Sequence, residues 1–256
     1  MTTPDSFETV DILGVRVIDA SQAEMIMHLS EVVARRAHLK LAFANAHLVN
    51  QAAARPDFRG ALKAFDVVPD GIGVDLAARL LRGRNFRNNL NGTDFVPAFL
   101  QAHQTSLRVA LLGAQPNVLE TAHSRLSERF PQHKFISISD GYFTAPEEEV
   151  ILKRLAVQKP DILIVAMGVP RQEMWIANRI DVTHACVAMG VGALFDFLSE
   201  NVTRAPVWMR KARLEWVYRL YLEPKRLWRR YILGNPLFLA RVARQRLGFR
   251  SGVGDP

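Results

Sequence analysis

The chain of 256 residues has one cysteine, Cys186. It can form no internal disulfide, and its run Ala185-Cys186-Val187-Ala188-Met189 reads as a buried, inert thiol in a reducing compartment. No apolar run approaches the ~20 residues of a membrane-spanning helix. The opening MTTPDSFETVDILG carries acids and lacks the apolar core of a secretory signal, so a cytoplasmic location is expected. The seven histidines show no His-x-x-x-His or His-Cys spacing, which argues against a built-in metal cage. A Gly-x-Ser-x-Gly elbow is missing, and so is a Gly-Lys-Ser/Thr phosphate loop. Nothing here reads as a disulfide scaffold, a metal enzyme, a serine hydrolase or a P-loop protein.

What the chain does have is charge, unevenly placed. The net charge is +8. Residues 204–250 hold 13 Lys and Arg against two acids, Glu215 and Glu223, and carry +11; residues 1–203 hold 20 basic and 22 acidic residues and carry −2. The body is near neutral and the tail strongly basic, which points the tail at a polyanion, either nucleic acid or an anionic membrane surface.

Along the body, short apolar runs alternate with longer amphipathic ones. Residues 10–18 read as a hairpin, 20–36 as a helix with Ser21 as N-cap, 39–44 as a strand and 46–55 as a helix. Further strands are expected at 62–68, 107–113, 135–139, 161–168 and 185–189, and further helices at 75–81, 116–130, from 146 onward, and at 171–179. Strands of four to seven apolar residues separated by helices argue for an α/β, Rossmann-like fold, a mostly parallel sheet covered by helices on both faces. Composition shifts only near 199–204, so the expected organisation is a body, 1–203, followed by a basic helical appendage, 204–256.

Strand ends in such a sheet gather on one rim, where ligands bind. Five run into polar or glycine-containing segments: Asn45-Ala46-His47, Asp70-Gly71-Ile72-Gly73, Asp140-Gly141-Tyr142, Gly168-Val169-Pro170-Arg171-Gln172-Glu173 and Gly190-Val191-Gly192. Glycines there admit backbone N–H groups to a phosphate, and helix N-termini add partial positive charge. Each segment is also simply a good turn. Asp70, in VVPDGIGV, reads locally either as a cap for the next helix or as a strand-end carboxylate on the ligand rim. A nucleotide site is expected, with no cofactor and no metal.

The segments FANAHLVN, VVPDGIGVDLAARLL, NLNGTDF, LLGAQPNV, SDGYF, AMGVPRQEMWI, GVGALFDFL and RAPVWMRKARLEWVYRLYLEPKRLWRRYILGNPLFL resemble the WecG/TagA/CpsF glycosyltransferase family. They occur in the family's order over about residues 10–245. NLNGTDF and GNPLFL resemble its exopolysaccharide, GumM-like branch. The resemblance implies an inverting, metal-independent transfer of a sugar from a UDP-sugar to a polyprenyl-diphosphate-linked saccharide at the cytoplasmic membrane face. Glucose is the favoured sugar on the branch resemblance, and an N-acetylmannosamine-type sugar is the alternative.

By the same resemblance Asp70 is the general base, which an inverting transfer needs to take the proton of the attacking hydroxyl. Asn45 would bond the sugar or orient the base, and His47 is either an acceptor contact or structural. Gln172 would stand near the donor sugar and diphosphate. Tyr142 and Asp196 would surround the uracil and ribose, with a core tyrosine and a helix cap as the plainer readings. Gly168, Arg171, Gly192, Asn89 and Asn91 complete the expected donor contacts. Two positions depart from the family: Phe43 replaces a Thr, and Asn89 replaces an Arg suited to a diphosphate. Arg87, Arg171 or a tail arginine is then left to meet that charge.

The tail itself reads as two helical runs, 212–222 and 225–233, split by Glu223-Pro224. Leu214, Val217 and Tyr221 share one face, as do Trp228 with Ile232 and Leu227 with Tyr231. Arg219, Arg226, Arg229 and Arg230 form the cationic complement. Aromatic and basic residues mixed in this way suit an anionic bilayer surface, and in the family the piece also lends arginines to the active site. A solvated basic face and a nucleic-acid tail are the rival readings. The Trp, Leu and Ile clusters exceed what phosphate binding needs, so no nucleic acid is expected. Homo-oligomerisation stays open, and a non-catalytic regulator that binds nucleotide sugars is the functional rival.

Overall fold

The computed structural model describes residues 7–200, 202–206, 208–209 and 214–248. A β-hairpin opens the chain, β1 (Thr9–Ile12) paired antiparallel with β2 (Val15–Ile18). Then come α1 (Gln22–Ala34), β3 (Leu39–Ala44), α2 (Ala46–Ala54), α3 (Pro56–Leu62), β4 (Asp66–Pro69), α4 (Ile72–Arg82) and α5 (Gly92–Ala102). The second half of the body is β5 (Arg108–Gly113), α6 (Pro116–Arg129), β6 (Lys134–Ser139), α7 (Ala145–Gln158), β7 (Ile162–Ala166), α8 (Arg171–Arg179), β8 (Val187–Gly190) and α9 (Leu194–Leu198). The tail supplies α10 (Glu215–Leu222), α11 (Pro224–Trp228), a π-helical turn (Arg229–Leu233) and α12 (Gly234–Arg246).

Six strands form one parallel sheet in the order β4-β3-β8-β7-β5-β6. Alternate side chains of each strand enter different cores, because successive Cβ atoms point to opposite faces. Ala42, Ala110, Leu112, Leu163, Val165 and Ala188 pack under α2, α3, α4, α7, α8 and the hairpin. Leu41, Val109, Leu111, Ile162, Ile164 and Met189 pack under α1, α5, α6 and α9. This is the Rossmann-like α/β fold the alternation called for. β5 feeds a helix on one face and its neighbour β7 feeds a helix on the other. Neighbouring strand ends here therefore feed helices on opposite faces of the sheet.

Local chemistry explains the element ends. Ser21 caps α1 in a capping box with Glu24, as the sequence indicates. Thr144 and Glu147 do the same for α7. Gly113 closes β5 with φ +119°, and a Cβ there would stand 2.4 Å from the Ala166 carbonyl oxygen, so only glycine allows β5 and β7 to run this close. Helices α3, α5 and α9 are not anticipated by the sequence pattern. α3 and α9 are only 7 and 5 residues long. α5 carries Pro97 in its interior, which reads as a helix breaker. Too few turns leave little 3.6-residue periodicity to read in α3 and α9, and the internal proline masks that of α5.

The tail departs most from expectation. Residues 212–213, the start of the expected 212–222 helix, lie outside the described residues, and the helix is described from Glu215. Leu227 is buried while Trp228 and Ile232 are exposed. The unanticipated α12 packs on α2 and α4, and its Phe238 and Val242 are fully buried in the same core as Val49 and Val74. Arg241 donates to the backbone carbonyl and side-chain oxygen of Asn50, and Gln245 joins Asp11 and Leu13 of the hairpin. The end of the basic tail is thus built into the body, and the segment before it forms a strap tied at both ends.

Candidate active site

A cavity of about 770 Å³ opens at the carboxyl ends of β3 and β4. Asn45 and Asp70, the residues that follow these two strands, sit side by side in its wall because β3 and β4 are paired in register, Ala44 opposite Pro69. The Asp70 N–H donates to the Ala44 carbonyl at 2.8 Å, which fixes the end of the strand. The Asp70 side chain does not cap α4; that position is Gly71, with no side-chain capping bond. The capping alternative for Asp70 therefore falls.

Asn45 does two jobs at once. Its Oδ1 accepts from the N–H groups of His47 and Leu48 at 3.1 Å each, capping α2. Its Nδ2 then faces Asp70 Oδ2 at 3.3 Å. The cap orients the amide so that a donor, not an acceptor, meets the carboxylate. Burial pushes the Asp70 carboxyl above its ordinary value, against the opposing pull of Asn45 and of the Arg230 and Arg219 charges, and with help from Glu215. His47 also lines the cavity, where burial and then the Arg230 charge bring its imidazole down to about 4. At neutral pH His47 is uncharged.

Asn89 and Asn91 come to the same cavity. Asn89 accepts from the Gly71 N–H at 2.8 Å and donates to the Gly71 carbonyl and to Asp75. It clamps the loop that presents Asp70, which is a positioning job that an arginine at this place could not do in the same way. Asn91 caps α5 through the Asp94 N–H. Phe43 is buried against the Phe95 ring and the Gly92 backbone, so the hydroxyl that the family carries there has no counterpart in this wall. Arg87 is removed from the list of diphosphate partners: its guanidinium is spent on the Asp19 carbonyl and Glu24.

The other expected residues lie further along the rim, beyond the cavity lining, on the ends of β6, β7 and β8. Gln172 is buried; its Oε1 accepts from the N–H groups of Gly168 and Gly192 at 3.0 Å each, and its Nε2 donates to Glu173 at 2.7 Å. It ties the turns after β7 and β8 together. Tyr142 is 65% exposed, so the core-tyrosine alternative falls, and its hydroxyl accepts from Gln115. Arg171 stacks on Phe143, and Asp196 lies in the first turn of α9.

The tail contributes arginines to the cavity, as the family resemblance implies. Arg219 and Arg230, expected to face lipid headgroups, line the cavity, together with Glu215, Trp216 and Tyr231. Burial and neighbouring positive charge lower Arg230, and its Nε has no hydrogen-bond partner in the structure, nor does that of Arg219. Two guanidinium groups with unmet donors beside a carboxylate make a site for an anionic ligand carrying a hydroxyl. Glu215 and Arg219 are one helical turn apart and share a face, a spacing by which the sequence alone could have paired them.

A family model described as the Glycosyl transferase WecG/TagA/CpsF family matches residues 10–252. The chain belongs to this family. It is a glycosyltransferase. A Bacillus subtilis (strain 168) protein is 36% identical over 180 residues, 70% of this chain and 68% of its own length. A Staphylococcus aureus (strain NCTC 8325) protein is 31% identical over 239 residues, 92% of each chain. Both relatives are N-acetylglucosaminyldiphosphoundecaprenol N-acetyl-beta-D-mannosaminyltransferases. In this glycosyltransferase the match runs through the tail as well as the sheet, consistent with a cavity that needs both.

Proposed function

We propose that this glycosyltransferase inverts the anomeric centre while moving an N-acetylmannosaminyl group from a UDP-sugar to a polyprenyl-diphosphate-linked N-acetylglucosamine. The observation that carries the reading is Asp70, freed from capping and held by Asn45, in one cavity with Arg219 and Arg230. Asp70 takes the proton of the acceptor hydroxyl as its oxygen bonds to the anomeric carbon. The bond from that carbon to the diphosphate breaks on the opposite side, and the electron pair leaves with UDP. The tail arginines meet the charge of the departing diphosphate, so the reaction runs without a metal. The sugar assignment follows the relatives' names, which support the N-acetylmannosaminyl alternative over the glucosyl reading of the sequence. Whether the product enters an exopolysaccharide or another surface polymer turns on the acceptor.

The acceptor's lipid accounts for the outer surface of the strap. Among the described residues no helix is long and apolar enough to cross a membrane. Leu233 and Leu237 are half exposed on the same tail as the exposed Arg226 and Arg229, which suits peripheral docking on the cytoplasmic face of an anionic membrane. Failure to sediment with anionic vesicles would remove that part of the reading.

The test is UDP release with a panel of UDP-sugars and a synthetic polyprenyl-diphosphate monosaccharide, with and without EDTA. UDP-N-acetylmannosamine is expected to exceed UDP-glucose, and EDTA to leave the rate unchanged. Asp70→Asn is expected to lower kcat by roughly 10²–10⁴-fold with UDP binding retained. Turnover within a few-fold of wild type refutes Asp70 as the base.

A further inference from the structure

Glu215 shares the cavity with Asp70, although it lies in the tail, 145 positions along the chain. Arg204 seats it: Nε stands 3.4 Å from Glu215 Oε1, while Nη1 stands 2.7 Å from Asp94 Oδ1 on α5. Arg204 thereby joins the first turn of α10 to α5 of the body. Its guanidinium lies 5.7 Å from the Phe197 ring and that of Arg219 lies 5.0 Å from the same ring, so Phe197 sits against both cations.

The ionisable groups lining the cavity with Asp70 come from three elements. They are His47 on α2, Glu215 and Arg219 on α10, and Arg230 and Tyr231 on the π-helical turn. The lining residues of α4 and α5, among them Ile72, Leu76 and Thr93, carry no charge. With His47 neutral, Arg219 and Arg230 act on Asp70 and Glu215 opposes them from within the cavity; Glu223, outside the lining, also pairs with Arg219, at 3.7 Å, and with Arg226.

This balance matters for a base. Positive charge stabilises the ionised carboxylate and so weakens its pull on a hydroxyl proton. The reaction still needs that positive charge for the leaving diphosphate, so removing the arginines is no remedy. A fixed negative group in the same cavity reconciles the two demands.

We propose that Glu215 is a positioning residue of the transfer reaction: seated by Arg204, its carboxylate counters Arg219 and Arg230 across the cavity and keeps Asp70 basic enough to accept the acceptor's proton. The proposal rests on the reading of Asp70 as the base. It accords with the direction in which Glu215 acts on Asp70, upward, against Arg230 and Arg219. A purely mechanical role, Glu215 as a staple for the strap, predicts loss of stability or substrate affinity with no change in how the rate depends on pH.

The experiment is the pH profile of kcat/KM for UDP release on a polyprenyl-diphosphate monosaccharide, for wild type, Glu215→Gln, Glu215→Asp, Arg219→Gln and Asp70→Asn. The rate rises with pH as Asp70 loses its proton. In Glu215→Gln this acidic limb is expected to move down by roughly half a pH unit, and the plateau to fall several-fold. Arg219→Gln moves the limb the other way, and Glu215→Asp, which keeps the charge, moves it less than half as far as Gln. A limb in Glu215→Gln that stays put or moves up overturns the proposal. If Glu215→Gln loses its cooperative melt, Glu215→Asp decides by the same sign. An inactive Asp70→Asn with an unmoved Glu215→Gln limb overturns this inference alone, whereas an active Asp70→Asn overturns the base reading and this inference with it.

Discussion

Replacing Glu173 with Gln tests how the turns after β7 and β8 are held. Glu173 is 0% exposed. One carboxyl oxygen accepts from Gln172 Nε2 at 2.7 Å, and the other, Oε2, has no hydrogen-bond partner in the structure. Burial pushes the carboxyl up to about 7 from an ordinary 4.5, against the opposing hydrogen bond from Gln172. Between those two values the folded protein keeps a proton that the unfolded chain has released. Stability therefore falls as pH rises through the window and levels off above it. At ~1.4 kcal/mol per pH unit, the loss across the window is about 3 kcal/mol. Glutamine carries no charge, so Glu173→Gln should escape the loss. For a protein of this size about 3 kcal/mol corresponds to roughly 6–10 °C in Tm. Calorimetric melts of both proteins from pH 4 to 9 at constant ionic strength make the comparison. Wild type is expected to fall behind the variant steadily up to neutral pH and then hold its distance. Parallel curves refute the reasoning, because they mean that Glu173 ionises in the folded protein as easily as in the unfolded chain.

Phe238→Ala is expected to cost about 3–5 kcal/mol in urea unfolding, since the ring is fully buried in the core beneath α2 and α4; a loss under 1 kcal/mol means α12 is a detachable appendage. Asn45→Ala removes the cap of α2 and should cost about 1 kcal/mol of stability. It also removes a bond that holds the Asp70 carboxyl down, so the acidic limb of the rate profile should move to higher pH. An unmoved limb would deny the contact any part in the reaction.

The sheet was legible because burial on both faces gives strands a near-continuous apolar run, as in Asp161-Ile162-Leu163-Ile164-Val165, and glycines or caps mark the ends. Asp70 and Asn45 were legible for the same reason: each is the first polar residue after such a run, and parallel strands deliver those residues to one rim. Strand order was not legible. Nothing local says that β3 lies beside β8 rather than beside β5, so which strand-end loops share a cavity could not be read from their sequences. Gln172 illustrates the limit. Its position on the rim follows from the strand before it, but its carboxamide is spent on Gly168 and Gly192, and only the pairing of β7 with β8 brings those two turns together.

The tail divides the same way. Sequence alone determined its charge, its aromatic and aliphatic content and its helical periodicity, since these are properties of composition and spacing. It could not determine which face of each helix meets protein and which meets solvent or lipid, because an apolar face packs as readily on a protein core as on lipid, and a basic face turns as readily into a cavity as towards headgroups. The tertiary structure decided that. Phe238 and Val242 anchor α12 in the core, Arg204 ties the strap to α5, and Glu215, Arg219 and Arg230 are carried over Asp70. A charge acts through distance in space, and only the fold sets that distance.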